Sequence, residues 1–366
     1  MNVTEIFLKD WRNLSEITFR PDAAINIFLG RNAQGKTNIL EAINFASLLR
    51  SRAGKEVELI RWGQSVALLR IKFLKAGISH ELAIEISTER RRRILLDANP
   101  IRPRELLGKL NSVLFSPEDL FMFKGSPSTR RKFLDAQISQ AAPAYFLELA
   151  KYTRLVEIRN DLLKKIRDGL AQSTELDLWD EQLAAVAEKI IGKRLATVDK
   201  LNQLANSMQQ KISSQAETLS VSYDLRGLTS TENISADFLN LLRTRRVKDV
   251  QHGSTSFGAH VDDLKFFVNG RELKLYGSQG QLRTAALALK LSELQFIKSE
   301  TGEYPLLMLD DVMSELDAAR REMLLEFLRR ERIQTLITAT DRAYFPPRSF
   351  GKFFSVDAGA LEEVTS

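Results

Sequence analysis

Eight consecutive residues, Gly30-Arg31-Asn32-Ala33-Gln34-Gly35-Lys36-Thr37, fit the pattern G-x-x-x-x-G-K-[ST], whose chemistry is the grip on a polyphosphate. Glycines let backbone N–H groups wrap an anion, and a helix N-terminus beneath them adds partial positive charge. Lys36 is of the type that reaches β- and γ-phosphates, and the Thr37 hydroxyl of the type that ligates Mg²⁺. Two carboxylates, Asp310 and Asp311, close the apolar run Pro305-Leu306-Leu307-Met308-Leu309 in the manner of a Walker B strand. Asp310 is suited to hold Mg²⁺ through water and Asp311 to orient or deprotonate an attacking water. Lys36 and Asp311 are therefore the catalytic candidates, Thr37 and Asp310 the metal candidates. A third set, Ser278, Gln279, Gly280 and Gln281, opens a strongly apolar helix and makes a second anion-ready N-terminus. One phosphate chain cannot sit on two helix ends this different within a subunit. The arrangement predicts a dimer in which Ser278 of one chain touches the γ-phosphate held by the P-loop of the other.

These residues need a scaffold, and the flanking patterns supply it. An apolar strand, Ile25–Leu29, enters the loop, and Ile39, Leu40, Ala42, Ile43, Phe45 and Ala46 follow at helical spacing. Before that strand, Val3–Leu8 and Ile17–Phe19 read as an antiparallel pair around the corner Trp11-Arg12-Asn13. Asp310 lies 273 positions after Thr37, so the nucleotide core is split by what lies between. From Val57 to Leu96 the pattern has period two, a meander. From Phe133 to about Ile212 it is helical, with breaks at Asp168-Gly169 and Ser173-Thr174. A helix over Leu176–Ile212 spans roughly 55 Å at 1.5 Å per residue and must pack on a neighbour, which predicts a compact helical lobe. Strands return at Leu219–Tyr223 and Leu264–Val268, with a hairpin turn at Asn269-Gly270. Asp317 reads as the cap of a helix starting near Ala318. The fold class predicted is α/β with mixed sheets and an inserted helical lobe. It divides as 1–125 (N-terminal half of the head), 126–215 (helical lobe) and 216–366 (C-terminal half).

The chain has 366 residues, a net charge of +6 and a sequence pI near 9.3, the sign expected of a phosphate-backbone binder. It has no cysteine and three histidines, which excludes a disulfide framework and a thiolate metal site and argues against a zinc enzyme. No secretory leader and no apolar run of about 20 residues is visible, so a cytoplasmic location is expected and no membrane. The basic residues fall in groups: Arg50, Arg52 and Lys55; Arg90, Arg91, Arg92 and Arg93; Arg130, Arg131 and Lys132; Arg243, Arg245, Arg246 and Lys248. Each group is either a solvated face or a set of DNA phosphate contacts. Ser116-Pro117 and Ser126-Pro127 read as capped helix entries. Arg130-Arg131-Lys132 then sits on a first helical turn, where the dipole prefers acids, and suggests a site for an anion or a partner.

Together, G-R-N-A-Q-G-K-T, F-S-P-E-D-L, S-Q-G-Q, L-L-M-L-D-D-V-M-S-E-L-D and T-A-T-D at Thr338–Asp341 make a chain that resembles the RecF family of bacterial recombination mediators, ABC-type ATPases related to SMC heads. The resemblance runs from the first strand to the last. It implies an ABC-type P-loop ATPase head, ATP and Mg²⁺ as cofactors, and slow ATP hydrolysis. It also implies an ATP-dependent homodimer on DNA at single-strand gaps or junctions, without sequence preference, with RecR and RecO as partners in helping to load recombinase. By the same resemblance Arg12 and Asn13 contact the nucleotide, and Ser278 to Gln281 form the signature that meets it in trans. Leu282, Ala259 and Val261 depart from the family's usual glutamine, proline and arginine, and Arg50-Ser51-Arg52-Ala53 lacks its aromatic. A DNA-binding switch in which hydrolysis is incidental remains the alternative. A transporter ATPase fits poorly, because the core is split and Thr340 stands where transporters carry histidine.

Overall fold

Alternation along Val66–Lys75 buries Ala67, Leu69, Ile71 and Phe73 and leaves Arg70 and Lys72 exposed, the mark of a sheet with one face on a core. By contrast Leu306–Asp310 and Thr335–Ala339 are buried at every position, as strands covered on both faces must be. The computed structural model describes residues 1–49, 54–346 and 351–364; Arg50 and Arg52 lie outside the described residues. The strands are β1 (Asn2–Trp11), β2 (Leu14–Phe19), β3 (Ile25–Leu29), β4 (Val66–Lys75), β5 (Ile78–Ser87), β6 (Arg93–Leu96), β7 (Asn99–Pro100), β8 (Ser112–Phe115), β9 (Leu219–Asp224), β10 (Asp263–Val268), β11 (Arg271–Glu272), β12 (Leu306–Asp310), β13 (Thr335–Ala339), β14 (Lys352–Asp357) and β15 (Ala360–Val364). The helices are α1 (Lys36–Leu48), α2 (Pro103–Leu106), α3 (Phe121–Lys124), α4 (Pro127–Ala141), α5 (Pro143–Arg167), α6 (Leu176–Ile212), α7 (Ile234–His252), α8 (Leu273–Tyr276), α9 (Gln279–Thr301) and α10 (Ala318–Arg330).

The chain forms two compact units. The first comprises Met1–Leu120, Lys211–Ser214 and Arg283–Ser366. It carries an antiparallel sheet in the order β2-β1-β4-β5-β6-β7 and a second sheet in the order β15-β14-β3-β13-β12-β8. In the second sheet β14, β3, β13, β12 and β8 run parallel and β15 antiparallel. Helix α1 contributes Ile39, Leu40, Ile43 and Phe45 to a core shared with both sheets. Trp11 is fully buried there, its ring 5.6 Å from that of Phe45, while Phe28 stacks on Phe354 at 5.1 Å. The tryptophan at this corner is thus a packing residue.

The second unit comprises Phe121–Gln210 and Gln215–Leu282, so it takes in β9, α7, β10, β11 and α8, beyond the 126–215 span read from the sequence. Helix α6 has the limits its period predicts. Helix α7 was not foreseen. It begins at Asn233, whose side chain accepts the Ala236 N–H, and buries Ile234, Phe238 and Leu242 at four-residue steps.

Buried ion pairs tie the second unit together. Arg159, fully buried, donates to Asp180 at 2.7 Å and to Asp249 at 2.9 Å. Arg194 donates to both Asp135 oxygens at 3.0 Å, to the Tyr223 hydroxyl at 2.9 Å, and to the carbonyl of Ala259. The expected anion site at Arg130-Arg131-Lys132 is corrected on this point. Arg130 is buried and forks onto Asp263 at 2.7 and 2.8 Å, and Arg131 donates to the Asp262 carbonyl at 2.8 Å. The basic turn faces a carboxylate of β10, and Arg130 is not available to an outside phosphate. Ser126 caps α4 as expected by accepting the Thr129 N–H. At Ser116 the N–H and the hydroxyl both donate to Asp119 Oδ2, at 2.8 and 3.4 Å, tying the start of that turn to its third residue. In the 243–248 group, Arg246 pairs with Asp177 and Asp180 at 2.6 and 2.8 Å, and Arg245 lies over the Phe257 ring.

Candidate functional site

Strand β3 ends at Leu29 and α1 begins at Lys36, so Gly30–Gly35 form the turn between a buried strand and a helix N-terminus. Two glycines are demanded by the geometry. Gly35 has φ 113°, and a side chain there would press on Asn13 and Leu14; a Cβ at Gly30 would collide with the Val356 carbonyl. Ala33 also adopts positive φ, at 66°. Arg31, Asn32 and Ala33 are exposed at the loop's crest. Gln34 anchors the loop from below. Its side-chain oxygen accepts the Ala358 N–H at 2.6 Å and its carbonyl the Gly359 N–H at 3.0 Å, from the β14–β15 turn.

Lys36 is 6% exposed and folds back so that Nζ donates to the carbonyls of Gly30 at 2.6 Å and Arg31 at 2.8 Å. Burial pushes its pKa down, while Asp311 and Asp310 pull it back up. The ammonium is thus held inside the loop's concavity. Thr37 donates its hydroxyl to Asp310 Oδ1 at 2.9 Å, joining the first turn of α1 to the end of β12. Thr338 on β13 donates to the same oxygen at 2.9 Å and accepts the Asp311 N–H at 2.9 Å. Asp311 itself has φ 55°, and its buried Oδ1 has no hydrogen-bond partner among the described residues. Burial raises its carboxyl above the ordinary value, with Asp310 and Glu315 adding and Lys36 opposing. Among the described residues this leaves an acceptor beside a lysine and a hydroxyl–carboxylate pair that can take a hydrogen bond from water. The donor set Thr37 and Asp310 fits Mg²⁺, which takes one or two protein oxygens and fills its octahedron with phosphate and water.

The corner before β2 braces this loop. Arg12 forks onto Glu41 of α1 at 2.9 and 3.0 Å and donates to the Glu58 carbonyl at 3.0 Å. Asn13 donates to the Gln34 carbonyl at 3.2 Å and accepts from Asn38 at 2.8 Å. Glu41 as the arginine's partner, Thr338 as the link between the Asp310 carboxylate and the Asp311 backbone N–H, and the Ala358-Gly359 turn were not foreseen. The T-A-T-D motif contained Thr338, but nothing in sequence tied it to Asp310.

In the second unit, Ser278 and Gln281 cap α9 reciprocally: the Ser278 hydroxyl accepts the Gln281 N–H and the Gln281 side chain accepts the Ser278 N–H, both at 3.2 Å. Ser278, Gln279 and Gly280 are exposed, and Gln281 also donates to Glu217 at 3.1 Å. Leu282, where the family usually has glutamine, is buried.

Of the other basic candidates, Lys55 is exposed and Arg90 pairs with Glu85 at 2.6 Å. Arg92 is half-buried, paired with Glu56 and 5.8 Å above the Phe45 ring. Arg91 and Arg93 are exposed. Arg92 is therefore part of the fold, and the free surface of this group is narrower than its four arginines suggest.

Residues 2–349 match the RecF/RecN/SMC N terminal domain, which defines the class as an SMC-type ATPase head. A solved SMC head bound to the C-winged helix domain of ScpA superposes with a TM-score of 0.60 at 14% identity over 100% of this chain and 97% of that one, a likeness of fold alone. A solved structure of the recombination mediator protein RecF-ATP in the RecFOR pathway superposes with a TM-score of 0.92 at 35% identity, covering 100% of this chain and 98% of that one. The DNA replication and repair protein RecF of Halothermothrix orenii is 43% identical over 348 residues, 93% of this chain and 92% of that protein. The chain belongs to the RecF family.

Proposed function

We propose that the chain is an ATP-dependent DNA-binding protein of recombinational repair and replication restart, in which ATP draws two copies together on gapped or junction DNA and slow hydrolysis releases them. The observation that carries this reading is the 2.9 Å bond between Thr37 and Asp310 across 273 residues of sequence, with an Asp311 oxygen beside it that has no partner among the described residues.

In this reading the N–H groups of Gly30–Thr37 wrap the phosphates and Lys36 leaves the loop carbonyls to neutralise the β- and γ-oxygens. Bound Mg²⁺ would neutralise phosphate charge from the oxygens of Thr37 and Asp310. Asp311 orients a water and accepts its proton, a role its raised pKa favours by making it a better base than an ordinary carboxylate. Arg12 and Asn13 hold the loop and meet the nucleotide at its edge. Ser278 to Gln281 of one copy complete the site on the other, adding a helix N-terminus to the γ-phosphate. DNA contact falls to exposed cations, Lys55, Arg90, Arg91 and Arg93 among them. The related RecF-ATP structure belongs to the RecFOR pathway, and the same pathway here makes RecR and RecO the partners and the cytoplasm, on the nucleoid, the location. Among the described residues no helix is long and apolar enough to cross a membrane.

Sedimentation with and without ATP and a gapped duplex tests the reading. A dimer that forms with ATP, and does not form with Lys36→Ala, is expected. A single nucleotide-independent species that binds no DNA would overturn it.

A further inference from the structure

One tryptophan is left almost wholly exposed among the described residues. Trp62 is 99% exposed, at the crest of the turn between Ile60 and β4, whereas a side chain of this size normally buries most of its surface. The turn itself is fixed. Ile60 is bridged to Trp11, the Arg61 N–H donates to the Asp10 carbonyl at 2.8 Å, and the Gln64 N–H donates to the Arg61 carbonyl at 3.0 Å. The indole is therefore presented on a rigid support and contributes nothing to the core beneath it.

Its surroundings are basic. Val66 of β4 pairs with Ser87 of β5, and the Thr88 N–H donates to the Ser65 carbonyl at 3.0 Å. This brings the β5–β6 turn, with Arg90 and Arg91, to the same end of the sheet as Trp62. The pairing of Arg92 with Glu56 draws in the short turn Glu56–Leu59, with exposed Lys55 before it and half-exposed Val57 within it. Residues 54–64 and 88–93 together hold six basic side chains and three acidic ones. Glu56 is engaged by Arg92, Arg90 is paired with Glu85, and Arg61 lies 3.7 Å from Asp10.

A flat exposed aromatic face with cations at the same end of the sheet is the arrangement that holds single-stranded nucleic acid, the base stacking on the ring and the flanking phosphates meeting the cations. Duplex DNA offers phosphates to the cations but no free base face to the indole. We infer that Trp62 is a stacking platform for an unpaired base, with Arg90, Arg91 and Lys55 meeting the flanking phosphates, and that it gives the protein its preference for gaps over intact duplex. This rests on the DNA-binding reading above and adds the single-strand contact to it.

The full chain, with a non-hydrolysable ATP analogue, is titrated with oligo(dT), a blunt duplex and a gapped duplex, as wild type, Trp62→Ala and Trp62→Phe. Stacking contributes about 1–3 kcal/mol per base, so Trp62→Ala is expected to weaken oligo(dT) and gapped-duplex binding about tenfold while blunt-duplex affinity and ATP turnover stay within twofold. Trp62→Phe recovers part of the loss. Oligo(dT) quenches tryptophan emission in the wild type and not in Trp62→Ala, since Trp11 is buried and Trp179 is partly covered. Equal affinity of all three proteins for oligo(dT), with no quenching, overturns the platform and leaves a protein partner as the occupant of Trp62. An equal loss on all three DNAs also overturns it. Failure of the wild type to bind any of the three removes the DNA-binding reading itself.

Discussion

Thr338 donates its hydroxyl to Asp310 Oδ1 at 2.9 Å, the same oxygen that accepts from Thr37, so one carboxylate is fixed from two directions by two threonines on different elements. Because Thr338 also accepts the Asp311 N–H, it sets the backbone from which the second carboxylate projects. Thr338→Val is expected to raise the Mg²⁺ concentration needed for ATP binding several-fold and to cost about 1–3 kcal/mol of stability for the orphaned N–H, with Thr338→Ser recovering both. Mg²⁺ titration of nucleotide binding checks this. An unchanged Mg²⁺ dependence would show that Asp310 needs no such support.

Asp311→Asn keeps the loop and the Thr37–Asp310 pair but replaces a base by an amide. Hydrolysis is expected to fall by about 10²–10⁴ while ATP affinity stays within a few-fold, and the dimer is expected to accumulate. Because burial raises the Asp311 carboxyl, the acid limb of the wild-type rate profile should lie above the ordinary carboxylate range. Single-turnover rates against pH read both effects; a wild-type rate in the variant assigns the water to another group.

Much of the site was legible because it is local. The P-loop, the paired aspartates and the helix start at Ser278 each lie within a few residues, and α6 announces its limits through an unbroken period. What was not legible depends on partners far apart in the chain. Arg130 looked like an anion site because its partner Asp263 is 133 positions away, and nothing local linked Arg12 to Glu41, 29 positions further on in α1. Helix α7 keeps a four-residue step in Ile234, Phe238 and Leu242 behind an asparagine cap, but exposed Val247 and the cations between Arg243 and Lys248 blur its apolar stripe in sequence.

Lys290 of α9 is buried between Asp119 at 3.0 Å and Glu293 at 3.3 Å. Burial chiefly, with Asp119 adding and Lys290 opposing, pushes the Glu293 carboxyl up to about 7 from an ordinary 4.5. A folded pKa above the unfolded one means that the native state holds the proton more tightly, so stability declines as pH rises from about 4.5 to about 7 and then levels, by about 3 kcal/mol. Glu293→Gln should flatten that decline. Urea denaturation at intervals across this range measures it, and an identical slope in the variant would remove Glu293 as its source.

If each site is built from two copies, then Ser278→Arg and Lys36→Ala chains, each inactive alone, should recover part of the ATPase activity when mixed. A mixed dimer pairs one intact P-loop with one intact Ser278. Recovery approaching half of the wild-type rate per mixed dimer is expected from stopped-time phosphate release, and a mixture no more active than its parts would argue that the signature does not act in trans.

If ATP closes two copies around DNA, the salt dependence of affinity must change with nucleotide. With one copy, few phosphates are neutralised; with two, the exposed cations of both heads engage, so the slope of log affinity against log salt should roughly double. The dissociation constant for a gapped duplex is measured from low to physiological salt, with and without a non-hydrolysable ATP analogue. A steeper slope and tighter binding with the analogue are predicted, while a slope unaffected by nucleotide would contradict the ATP-gated clamp.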